Sequence, residues 1–289
     1  MEKQEIWVIG KNGQLATCLK QEASHFPHLA LTFLSSKEVN FETELSSQLN
    51  AIPSSPTLII NCAAYTAVDL AEQEKEKALR LNGTAVEELV SWVKEKQIPL
   101  IHFSTDYVFN GQANEAYTES EPTSPINTYG ESKLMGEQAV LSYSKGTVFR
   151  ISWLYSSEGK NFLLTIKNKL EQEQPLQVVN DQTGCPTSAH ALAFDILSII
   201  QENKITEQTF GLYHYSHDGQ ATWFEFAEYI RESIHSNTLI HPTTTSQFPT
   251  PAKRPAFSKL HPAKSRSTFG LPSRFWKDEV INELNRIKS

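Results

Sequence analysis

Short apolar runs alternate with longer amphipathic stretches through the first half of the chain, the pattern of β-α-β units winding a parallel sheet. Residues 6–9, 29–34, 58–61, 100–103 and 147–151 read as short strands, each followed by a turn signal or a helix start. Between them, residues 14–23, 71–80, 84–96 and 132–143 read as helices rich in Ala, Glu, Lys and Leu. Parallel strands joined by helices need right-handed crossovers, so the expected fold is a Rossmann-like, doubly wound α/β sheet. Beyond Ser156 the texture changes. Helices are expected at 162–172 and 189–201, but Pro242, Pro249, Pro251, Pro255, Pro262 and Pro272 punctuate the tail. Residues 1–155 are therefore assigned to the sheet domain, which also receives the helix at 189–201. Residues 156–289 are assigned to a smaller, loop-rich C-terminal lobe rather than to more sheet.

Composition narrows the class. With 289 residues, 39% hydrophobic and 20% charged, the chain can bury a sizeable core and is neither collagen-like, disordered nor membrane-embedded. A net charge of -7 argues against nucleic-acid and anionic-membrane partners, which require a dominant basic surface. The average hides one asymmetry. Residues 233–277 contain no Asp or Glu, while Lys253, Arg254, Lys259, Lys264, Arg266, Arg274 and Lys277 supply positive charge, either for an anionic small molecule or for a solvated face. Cys18, Cys62 and Cys185 lack disulfide or zinc spacing and read as small buried thiols. No apolar segment near the N-terminus resembles a signal, so a cytoplasmic location is the default expectation.

Three motifs carry chemistry. The first strand runs into Gly10-Lys11-Asn12-Gly13-Gln14-Leu15-Ala16, a turn whose glycines allow close approach to a pyrophosphate at a helix N-terminus. NAD-selective sites place an acidic residue at the end of the second strand. Here that position holds Ser35, Ser36 and Lys37 and no carboxylate, which favours the 2'-phosphate of NADPH and leaves NADH possible. Tyr129-x-x-x-Lys133 puts a phenol and an ammonium on one helix face. A neighbouring ammonium is expected to lower the phenol's pKa and suit it to proton transfer. Ser104-Thr105-Asp106-Tyr107 directly follows an apolar strand, where ligands of doubly wound sheets bind, so Ser104 or Thr105 would face the pocket that Tyr129 lines.

In this ordered combination the chain resembles the extended short-chain dehydrogenase/reductases, and specifically the dTDP-4-dehydrorhamnose reductase family. The further matching segments are Asn61-Cys62-Ala63-Ala64-Tyr65-Thr66-Ala67-Val68-Asp69, Arg150-Ile151-Ser152-Trp153-Leu154-Tyr155, Asn180-Asp181-Gln182-Thr183-Gly184-Cys185-Pro186-Thr187 and Arg254-Pro255. The resemblance implies NADPH-dependent reduction of the 4-keto group of a dTDP-4-keto-6-deoxyhexose, dTDP-4-dehydrorhamnose first among them. Thr105, Tyr129 and Lys133 would be catalytic, with Asn82 holding a proton-relay water. Gly10, Asn12, Gly13, Gln14, Leu15, Ser35, Ser36, Lys37, Cys62, Ala63, Ala64, Tyr65, Ser104, Tyr129 and Lys133 would bind the cofactor. Val68, Asp69, Thr105, Asp106 and Trp153 would line the substrate pocket, and Arg254 would hold the diphosphate.

Related sugar-nucleotide dehydratases carry Asp-Glu after the threonine. Tyr107 follows Asp106 here, which disfavours dehydration. Some members of the family bind Mg2+ through acidic residues at a dimer interface, but two of those places are Cys18 and His190 here. Neither a metal nor that dimer is expected, and a monomer or weak homodimer is the reading. The rival readings are a reductase or epimerase making another deoxysugar, and a non-catalytic NADP-binding subunit. The presence of Thr105, Tyr129 and Lys133 together favours catalysis.

Overall fold

Alternation along five strands sends their side chains into two separate cores. The strands are β1 (Gln4–Ile9), β2 (Leu29–Leu34), β3 (Leu58–Asn61), β4 (Leu100–Thr105) and β5 (Gly146–Ile151). On one face Ile6, Val8, Ile60, Ile101 and Phe149 pack with residues of the helices Gln14–Glu22 and Ala189–Gln201. On the other, Trp7, Ile9, Ile59, Leu100 and Val148 meet Val86, Leu89 and Val93 of the helix Ala85–Lys96. A sheet covered on both faces is the usual setting of parallel strands. The computed structural model describes residues 4–288. No helix among them is long and apolar enough to cross a membrane.

The central sheet has six parallel strands, not five. Its order is Gly211–Tyr215, β5, β4, β3, β1, β2, so the winding reverses between β1 and β3. A crevice opens beyond the carboxyl ends of the strands at such a reversal. The sixth strand corrects the expectation that the C-terminal portion adds no sheet: Gly211–Tyr215 pairs with β5 in register from Thr147 to Ile151. The rest of that portion has its own core, where Leu163, Phe226, Ile230, Trp276 and Val280 pack together and against Tyr155.

Two expected helices also differ. The helix at 71–80 is interrupted, forming Val68–Ala71 and Lys75–Leu79, and then a π-helical turn at Arg80–Thr84 leads into Ala85–Lys96. The wide turn has a packing cause. A Cβ on Gly83 would lie 2.3 Å from Met135 Sδ, and one on Gly136 only 2.1 Å from the Asn82 carbonyl oxygen. Two glycines thus let this segment press against the helix Thr128–Leu141, which itself begins four residues earlier than expected. Asn127 caps it by accepting from Gly130 N at 2.7 Å, which puts Tyr129 in the first turn.

Candidate active site

Gly10 ends β1 with φ +93, and its N–H and that of Lys11 both donate to Leu34 O. A Cβ there would stand 2.6 Å from Ala63 N, so only glycine lets β1 and the 62–64 loop meet. Gly13 caps the helix Gln14–Glu22 without any side-chain hydrogen bond, leaving first-turn N–H groups unclaimed by a side-chain acceptor. Gln14 Nε2 is buried and has no partner. This cradle of glycine backbone and unclaimed donors fits a pyrophosphate.

Two recesses flank the turn and share Asn12, Gly13, Cys62, Ala63 and Ala64. The smaller is lined by Gly10, Ser35 and Ser36, as expected, but also by Lys11, Asn40 and Phe41, which the sequence reading missed. Glu38, one residue past the 35–37 stretch, lines neither recess, and the carboxylate that does line the smaller one is Glu42. Glu38 folds back to accept from Ser35 N at 2.8 Å and from Ser35 Oγ at 2.5 Å, and these bonds, with Lys11 nearby, hold its pKa below the usual value.

The larger cleft, about 530 Å³, gathers Gln14, Leu15, Val68, Ser104, Thr105, Asp106, Tyr129, Lys133 and Trp153. Strand β4 delivers Thr105 at its carboxyl end, and the helix Thr128–Leu141 delivers Tyr129 and Lys133 one turn apart. Tyr129 packs edge-on against Tyr107 with ring centroids 5.7 Å apart. Thr105 lies close enough to favour the ionised phenol, yet burial dominates and the Asp106 carboxylate adds to it, so the Tyr129 pKa is pushed up to about 12. The expected acidification by Lys133 is therefore corrected. Lys133 is 3% exposed and donates to Phe103 O at 2.6 Å, and burial lowers its pKa to about 8 against the opposing pull of Glu137. A phenol this weakly acidic keeps its proton at neutral pH, the state required of a proton donor.

Trp153 sits at φ +47, a left-handed conformation costly for a tryptophan, and stacks on Trp223 with centroids 3.6 Å apart and planes within 6°. The two indoles form one wall of the cleft. Trp223, Tyr107, Lys160 and Asn161 were not foreseen as site residues. No local motif marks Trp223, because its place in the cleft depends on packing against Trp153 across the lobe.

Five expected site residues line neither recess. Lys37 is exposed. Tyr65 gives its hydroxyl to Glu74 and its backbone N–H to Asn82 Oδ1. The Asn82 amide is spent on Tyr65 N, Tyr65 O and Ser132 Oγ, and Ser132 in turn donates to Tyr129 O. Its side chain thus braces the Tyr129 turn and has no donor left for a relay water. Asp69 and Arg254 hold each other through two contacts of 3.0 and 2.8 Å, which occupies the guanidinium fork assigned to a diphosphate. Cys18 Sγ lies 3.7 Å from His190 Nδ1, which also faces the Glu283 carboxylate at 3.0 Å.

A doubly wound sheet with Thr105, Tyr129 and Lys133 gathered beyond its strand ends defines an oxidoreductase of the extended short-chain dehydrogenase/reductase class. The family described as RmlD substrate binding domain matches residues 4–289. A dTDP-4-dehydrorhamnose reductase of Sinorhizobium fredii is 36% identical over 280 residues, 94% of either chain. Among solved structures, a dTDP-4-dehydrorhamnose reductase ortholog of Clostridium acetobutylicum aligns with a TM-score of 0.91 at 31% identity, covering 99% of this chain and 100% of that one. The Bacillus anthracis reductase, solved in complex with NADP, aligns at 0.90 and 31% identity over 98% and 99%. The chain belongs to the dTDP-4-dehydrorhamnose reductase family.

Proposed function

We propose that this protein uses NADPH to reduce the 4-keto group of a dTDP-4-keto-6-deoxyhexose, with dTDP-4-dehydrorhamnose as the substrate and dTDP-L-rhamnose as the product. The observation that carries this reading is the gathering of Thr105, Tyr129 and Lys133 in one cleft that continues into the Gly10–Gly13 turn. Bound NADPH would supply the hydride received by C4. Tyr129 protonates the carbonyl oxygen, and Thr105 donates a hydrogen bond to the same oxygen as charge develops on it. Lys133, anchored by Phe103 O, is assigned to the nicotinamide ribose. Trp153, backed by Trp223, offers an apolar wall to the deoxysugar or its nucleotide, and Val68 and Asp106 line the same pocket. Asp69 and Arg254 pair with each other outside the cleft.

Incubation with NADPH and dTDP-4-keto-6-deoxy sugars, with the product's C4 configuration read by NMR, tests this reading. No turnover on any such sugar would refute it.

The 2'-phosphate reading rests on Ser35, Ser36 and Lys11, which line the smaller recess, while the Glu38 carboxylate bonded to Ser35 would oppose it by repelling phosphate. Glu38→Ala is therefore expected to raise the ratio of kcat/KM for NADPH over NADH severalfold. An unchanged ratio would remove Glu38 from cofactor selection.

A further inference from the structure

Reduction of a ketone by hydride consumes one proton per turnover. Tyr129, which lines the cleft, must regain that proton before the next turnover. We propose that Asp106 is a carboxylic acid that recharges Tyr129 through the hydroxyl of Thr105. This proposal rests on the reductase reading above.

Asp106 and Thr105 are joined directly, and both line the cleft with Tyr129. Asp106 is 2% exposed, and its Oδ1 lies 3.1 Å from Thr105 Oγ1. Its Oδ2 is buried with no hydrogen-bond partner, an arrangement that penalises the ionised form and favours the acid. Among the described residues no cation offsets this. Arg254, beyond Tyr107, is committed to Asp69, and Lys133 donates to Phe103 O. His102, on the same strand, is kept neutral by burial. Tyr107 and Tyr129 are held protonated, and the Ser258 and Thr105 hydroxyls and the Asp106 backbone N–H favour the carboxylate without outweighing burial. Burial accordingly raises the Asp106 pKa from 3.8 to about 7.

The step balances. After Tyr129 has given up its proton, the Thr105 O–H bond breaks toward the phenolate while the Asp106 O–H bond breaks toward Thr105 Oγ1. Tyr129 and Thr105 end neutral, Asp106 ends as a carboxylate, and water reprotonates it once the product departs. A neutral carboxyl group serving as a donor near pH 7 needs this kind of apolar setting.

Asp106→Asn keeps the shape and removes the proton. For the wild type, kcat should fall as pH rises through about 7. For the variant, kcat at pH 6 should be roughly 100-fold lower and that limb should be missing. A variant that keeps the limb, or keeps wild-type kcat, overturns the proposal.

A second readout needs no substrate. Because folding raises this carboxyl pKa, its favourable contribution is complete below about 3.8 and is lost as pH rises through about 7. The Tm of Asp106→Asn relative to wild type should therefore climb between pH 5 and pH 8. An offset that stays constant with pH overturns the neutral acid even in an enzyme that turns over, so it fails separately from the reductase reading.

Discussion

Tyr129→Phe is expected to lower kcat by about 10³-fold or more while leaving NADPH affinity nearly unchanged. The phenylalanine ring preserves the edge-on packing against Tyr107 and removes only the hydroxyl. Neither neighbour can replace that proton. Thr105 is an alcohol engaged with Asp106 Oδ1 and Tyr107 N, and Lys133 is bonded to Phe103 O. Burial pushes the phenol up to about 12, so Tyr129 itself stays protonated across the physiological range. Single-turnover oxidation of NADPH, with cofactor binding followed separately by fluorescence, separates the two effects. Activity within tenfold of wild type would assign the proton to another group.

The second large effect is on stability. Glu137 and Arg150 are 2% and 3% exposed and meet through Nε and Nη2, with the guanidinium 4.9 Å from the Phe109 ring centroid. Glu137→Gln leaves a buried, uncompensated guanidinium beside His214, whose imidazole burial and Arg150 together keep neutral. Breaking such a pair from one side costs about 3–5 kcal/mol, a large part of the stability of a typical domain. A functional consequence follows, because Glu137 lies one turn beyond Lys133 and its charge favours the ammonium. The variant should unfold at markedly lower urea concentration and lose activity at neutral pH as Lys133 deprotonates. A stability loss under about 1 kcal/mol would show that Arg150 finds another partner or water.

Much of the site was legible because its chemistry is encoded locally. The Gly10–Gly13 turn, the Thr105 strand end and the Tyr129 helix each lie within a few residues, and the strands β1 to β5 are each built around a short, mostly apolar run. What escaped depends on contacts remote in sequence. Gly211–Tyr215 contains Gly, Tyr and His and becomes a strand only by pairing with β5. The acid-free tail looked like a basic face, yet Arg254, Arg266 and Arg274 are paired with Asp69, Asp218 and Asp195, at separations of 185, 48 and 79 residues. The same applies to the electrostatics of Tyr129. Helical spacing correctly placed Lys133 on the same face, but the burial that dominates both groups is set by β4 and the packed loop around them.

Transfer of deuterium tests the central assignment most directly. With NADPH deuterated at the nicotinamide C4 and dTDP-4-dehydrorhamnose as substrate, the NMR spectrum of the product should show deuterium at hexose C4 in a single configuration. Product lacking deuterium at that carbon, or labelled at a neighbouring one, would contradict hydride delivery to a ketone held beside Tyr129.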